Sequence, residues 1–223
     1  MTKLSCWDLI ENGDYYEAIK AADDEYLETS STLSLRNKIF ALLITERFDD
    51  VIATCDYLIN KELGESESDF KFKGIALWNQ NKRQEAIDTW KSGINSKYTD
   101  AAGGVEVSLL LYFAAVKTNN TLLKTEAVKN LKEKFRSGKS KNWPGPLGAF
   151  ILKNIDEKTL LTYISVQPSI RAKQLCQTNF YLAVRNLENG DIDRAKQLIK
   201  DVLQLGKSAM QKPEFYLCEA IFY

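Results

Sequence analysis

A recurrence near 34 residues most restricts what this 223-residue chain can fold into. Four segments each read as a turn followed by an amphipathic helix: Gly13 to Leu27 (GDYYEAIKAADDEYL), Arg47 to Asn60 (RFDDVIATCDYLIN), Lys82 to Ile94 (KRQEAIDTWKSGI) and Gly190 to Leu203 (GDIDRAKQLIKDVL). Aligned on the small residue after the acidic or polar pair, Ala18, Val51 and Ala86 stand 33 and 35 residues apart. Ala195 follows after 109 more, close to three further periods. A unit of that length is a helix pair, which cannot bury its apolar face alone and must stack on its neighbours.

The first helices of the units have the same character. Leu33 to Thr45, Phe70 to Asn79, Val105 to Lys117 and Ala172 to Glu188 place apolar residues at three-and-four spacing with no internal Pro. Asn12-Gly13, Asn79 to Asn81, Thr118 to Thr121 and Asn189-Gly190 supply the left-handed or capping conformations that tight helix–helix turns need. The expectation is an all-α chain of one helical-repeat domain over 1–223. It divides into N-terminal repeats (1–98), irregular central helices (99–168), and a C-terminal repeat with a capping helix (169–223).

Composition narrows the chemistry. There is no His, which removes Ser-His-Asp and Cys-His catalysis and every His-containing metal site. Cys6, Cys55, Cys176 and Cys218 are widely and irregularly spaced, as expected of reduced core residues rather than ligands. No residue set combines nucleophile, base and oxyanion stabiliser, so neither enzyme activity nor a cofactor or metal is expected. Acids arrive by Asp8 and Glu11, leaving no apolar stretch suited to export. No run of 18 apolar residues occurs, so a membrane partner is not expected and a cytoplasmic location is.

On these residues the chain resembles the tetratricopeptide-repeat family. The best unit is Phe70 to Tyr98, where Gly74, Leu77, Ala86, Trp90 and Gly93 fall at that family's small, inter-helix and aromatic positions. The C-terminal unit matches through Ala183, Gly190, Ala195 and Ile199. The resemblance implies a right-handed α-solenoid that binds other proteins. Val51 replaces the usual alanine in the second unit, and the family's helix-breaking Pro is missing. The middle departs further, with the loop Asp100-Ala101-Ala102-Gly103-Gly104 and the rigid turn Trp143-Pro144-Gly145-Pro146, whose second Pro can start a helix. These two segments resemble bacterial tetratricopeptide proteins of toxin–immunity loci and, less closely, envelope tetratricopeptide lipoproteins.

Several motifs have bland readings that prevail. Gly138-Lys139-Ser140 and Gly206-Lys207-Ser208 are not phosphate loops, because the Gly required five residues upstream is Glu133 or Asp201 and each follows a helix. Gly103-Gly104 could offer amides to an anion, but a flexible hinge tolerated outside a helix is the expected reading. If the first helices line an inner surface, as the resemblance implies, then Trp7, Lys38, Lys71, Trp78, Asn79 and Phe180 form a protein-binding strip. The same rings could instead contact neighbouring helices. Trp7 stands where a carboxylate-clamping relative would need Asn.

Charge is the second candidate determinant. Residues 1 to 67 hold 15 acids and 6 bases, whereas 117 to 142 hold 8 bases and 2 acids. Asp23, Asp24, Asp49 and Asp50 are thus candidate contacts for a basic partner such as a toxin domain. Lys129, Lys132 and Lys134 would serve a nucleic acid, but they alternate with apolar residues as on any amphipathic helix. The function expected is a non-enzymatic protein-binding protein, most concretely a bacterial immunity protein. An adaptor joining two proteins is the alternative, with an RNA-binding helical repeat behind it.

Overall fold

The computed structural model describes residues 4–136 and 138–222, so the expected domain's ends at 1–3 and at Tyr223 lie outside the described residues. Among those described, the regular structure is helical. It comprises α1 (Cys6–Asn12), α2 (Tyr15–Thr29), α3 (Thr32–Ile44), α4 (Phe48–Lys61), α5 (Glu67–Asn79), α6 (Arg83–Gly93), α7 (Val105–Lys117), α8 (Thr121–Lys134), α9 (Gly145–Ile151), α10 (Glu157–Thr162), α11 (Pro168–Glu188), α12 (Ile192–Gln204) and α13 (Pro213–Leu217). Short 3-10 turns occupy Gly138–Lys141, Gly206–Ala209 and Glu219–Ile221. The all-α expectation holds in this structure.

Consecutive helices pack as neighbours, and their turns repeat one device. Gly13, Glu46, Asn81, Asn119 and Gly190 each take a left-handed backbone, at φ of 94°, 55°, 61°, 50° and 83°. At Gly13 the N–H caps the carbonyls of Leu9 and Ile10, closing α1 before α2 begins. Four of the five are the Gly or Asn residues that the turn chemistry singles out. Glu46 is not, and it holds this conformation without the steric freedom of Gly.

Two helices begin earlier than their periodicity predicts. α11 starts at Pro168, four residues before Ala172, because Pro at the first position forfeits only an N–H that has no partner within the helix. α5 starts at Glu67 because its first amide donates to the Tyr98 carbonyl, at 2.9 Å, tying it to the segment after α6.

The core runs through all of these helices as one connected apolar cluster. Ala18, Val51, Ala86 and Ala195, the residues that define the period, are wholly buried. Two aromatic rows thread the core. Trp7, Phe40 and Phe72 follow one another edge-on across α1, α3 and α5, at 6.0 and 5.2 Å. Trp90, Trp78, Phe113 and Phe180 connect α6, α5, α7 and α11 at 5.7, 5.0 and 5.2 Å. Thus α11 packs on α7 directly, while α9 and α10 lie beside that contact.

In place of the one capping helix expected at the C-terminal end, the described chain after α12 forms two 3-10 turns and the short α13. This segment lies against α5 and α11. Pro213, Glu214, Leu217, Cys218 and Ile221 are buried there. Lys117 on α7 donates to the Ile221 carbonyl at 2.8 Å, and Lys207 reaches back to the Asn12 carbonyl at 3.4 Å. The tail therefore covers a face shared by α5, α7 and α11. No helix among the described residues is long and apolar enough to cross a membrane.

Candidate functional site

The densest polar cluster lies where α5, α7, α11 and the tail meet. Glu106, a single acid inside the apolar run VEVSLLLYFAA, is almost wholly buried. It receives Lys71 from α5, Lys212 from the tail at 3.2 Å and the Gln177 amide from α11 at 3.0 Å. Gln177 also donates to Glu214 at 3.0 Å and accepts from the Trp143 indole at 2.7 Å. Burial pushes the Glu106 carboxyl up, but the two ammonium groups and these hydrogen bonds hold it well below the usual range. Lys71 is raised in return: burial opposes its charge, and Glu106 and Glu67 outweigh that opposition. The acids without an ammonium in contact move the other way. Burial and Asp100 bring Glu67 up to about 7, and burial with Glu106 raises Glu214. These contacts join four elements at one point, and Glu214 keeps one buried carboxylate oxygen without a hydrogen-bond partner.

The Gly103-Gly104 loop does hold an anion, and it comes from the chain itself. Asp100 accepts from the amides of Ala102, Gly104 and Glu106 at 2.7, 3.1 and 2.7 Å. Glu67 accepts from Val107 at 3.3 Å. The positive end of α7 is thereby satisfied internally. Gly104 is needed for its left-handed φ of 92°.

The residues expected to form a binding strip are separated by burial. Phe180 is fully enclosed, and Trp78 is stacked on Trp90, so neither presents an open ring. Lys71 is committed to Glu106. Asn79 donates to its own helix at the Ile75 carbonyl, 3.0 Å away, and edges a cleft with Phe48, Phe215 and Tyr216. Trp7 is half-buried and donates to Glu11 at 2.9 Å. Lys38 and Asp23, one proposed for each surface, pair with each other at 2.6 Å.

The remaining acids sit closer to solvent. Asp50 pairs with Arg47 at 2.7 Å, Asp49 accepts from Gln80 at 2.7 Å, and Asp24 is half-buried on α2. Asp49 and Asp50 occupy the first turn of α4, where negative charge favours the helix. Exposed Asp14 and Glu17 begin α2, and exposed Glu46 precedes α4, so the acidic surface follows successive turns of the chain. On α8, Lys129 and Lys132 are exposed, while Lys134 donates to the Ile94 carbonyl at 2.9 Å.

All four cysteines are buried and free, and burial pushes the Cys6 thiol up to about 12. Among the described residues, no group of three or more His, Cys, Asp or Glu is placed to hold a metal ion. Sequence reasoning missed the Glu67–Lys71–Glu106–Gln177–Glu214 cluster. The lone Glu106 amid apolar residues was the available signal. No known protein-family model matches the chain.

Proposed function

We propose that this chain is a right-handed stack of tetratricopeptide-like helix pairs that works by binding another protein, without chemistry of its own. One observation carries the reading: contacts between neighbouring units join residues one period apart. Arg36 meets Asp69, Phe40 meets Phe72, Lys71 meets Glu106 and Lys91 meets Glu126, at sequence separations of 33, 32, 35 and 35. A repeated contact of this kind is how stacked pairs bury surfaces that each pair would leave open.

The tail over the first helices directs docking to the acidic N-terminal surface. Arg36, Lys38 and Arg47 are engaged by neighbouring acids, which leaves Asp14, Glu17, Glu46 and Asp49 facing solvent. Such a surface suits a basic partner through complementary potential and fast association. Its most concrete form is a bacterial, cytoplasmic immunity protein that neutralises a cognate toxin. Affinity capture from the native host, followed by co-expression with the captured partner, tests this. A basic toxin whose growth arrest is relieved supports the reading, and a correctly identified neighbouring toxin that is not relieved removes it. Glu46→Lys with Asp49→Lys spares the Asp23–Lys38 pair and should weaken the complex about tenfold or more at low salt. A two-partner scaffold is the second reading, favoured by the exposed Lys129 and Lys132 on α8, whose charge is opposite to that of the N-terminal third.

A further inference from the structure

Nine lysines are half-buried among the described residues. Eight have a carboxylate or a backbone carbonyl to receive the ammonium: Lys38, Lys71, Lys73, Lys91, Lys124 and Lys212 pair with acids, and Lys117 and Lys134 donate to Ile221 and Ile94. Lys173, in the second turn of α11, has neither a hydrogen bond nor an ion pair among the described residues. A partly desolvated charge without a counter-ion is costly, and this fold avoids it elsewhere.

Lys173 lines a cleft of about 280 Å³ between the α1–α3 face and the segment after α12. Trp7 and Phe40, edge-on at 6.0 Å, supply an aromatic wall, and Met210 adds a polarizable apolar side. Lys207 stands at the same cleft with only a 3.4 Å contact to the Asn12 carbonyl. Ser169 lies in the first turn of α11, where Pro168 has no N–H and the Ile170 amide donates to the Gln167 carbonyl at 3.1 Å. Two ammonium groups and an aromatic wall therefore line one cleft. Glu11 is the acid that faces it, turned to the Trp7 indole at 2.9 Å. The volume falls just below the usual small-molecule range of about 300–1,000 Å³, as suits a ligand of one ring.

We propose that this cleft binds a small organic acid with one aromatic ring, its carboxylate on Lys173 and Lys207 and its ring against Trp7 and Phe40. This site is independent of the protein-docking surface. Calorimetric titration of the full chain with phenylacetate, 3-phenylpropionate and indole-3-acetate, and with the amide of each, tests it. At least one acid should bind saturably with Kd of about 1 mM or tighter, and its amide should bind about tenfold more weakly. Lys173→Met should weaken the acid about tenfold, while Lys173→Arg should stay within about threefold. Lys173→Met removes an unpaired charge, so its melting temperature should equal or exceed the parent's, which separates lost binding from lost folding. Any of three results overturns the proposal: no saturable binding by any acid at about 10 mM, equal binding of acid and amide, or parent-like affinity in Lys173→Met.

Discussion

The indole of Trp90 rests on Gly74. A methyl group built on Gly74 would stand 2.2 Å from the Trp90 Nε1 and 2.6 Å from its Cδ1, so α5 and α6 approach as closely as they do because position 74 has no side chain. The same indole donates to the Lys71 carbonyl at 3.1 Å and is wholly buried. Gly74→Ala must displace it. Helix propensity returns up to about 1 kcal/mol, overpacking costs about 1–3 kcal/mol, and the hydrogen bond is lost as well. A net destabilisation of about 1–2 kcal/mol is expected in urea unfolding. Combining Gly74→Ala with Trp90→Phe should cost less than the sum of the two single changes, because both act on one contact.

Glu106→Gln leaves Lys71 and Lys212 facing a neutral amide inside the protein. Removing one partner of a buried ion pair costs about 3–5 kcal/mol, and here two ammonium groups lose their carboxylate. The exposed Lys97–Glu65 pair, at 3.2 Å, is the control, and Lys97→Ala should leave the unfolding midpoint nearly unchanged. Equal midpoints for the two variants would show that the junction does not hold the tail.

Glu67 links stability to pH. Its folded carboxyl is raised to about 7 from an ordinary 4.5, so between those values the folded state binds more protons than the unfolded one. Its contribution is complete below about pH 4.5 and is lost as pH rises through about 7. Glu67→Gln mimics the protonated acid. Urea unfolding from pH 5 to 8 should therefore show the variant gaining stability relative to the parent as pH rises. A pH-independent difference would contradict the assignment.

Leu217 tests whether the tail belongs to the core. It is fully buried on α13, and Leu217→Ala should cost about 2–5 kcal/mol with the unfolding transition still cooperative. A loss below about 1 kcal/mol would mean that the tail is only loosely attached.

Helix identity was legible because each helix carries its own pattern and stop. The spacing predicts Val105–Lys117 to the residue, and turns with Asn or Gly mark the ends of α1, α5, α7 and α11. Glu46 escaped notice because nothing about Glu advertises a left-handed backbone. The candidate site was less legible. Trp78 and Phe180 sit at helical positions compatible with either an inner surface or a core, and only the packing of α7 and α11 encloses them. Lys38 and Asp23 were assigned to different surfaces, yet they are 15 residues apart and meet across the α2–α3 turn.

Local and near-periodic interactions are written into the chain itself: the helices, most of their turns, the buried Ala18, Val51, Ala86 and Ala195, and the uneven charge between the N-terminal third and α8. Those depend on neighbours a few residues or one repeat away, and their signal recurs. Tertiary structure alone decided where residues 206–222 go, which groups meet the buried Glu106, and which half-buried lysine is left without a partner among the described residues. These depend on contacts between distant segments, such as Lys212 with Glu106 or Lys207 with Asn12, and a contact made once leaves no period to read.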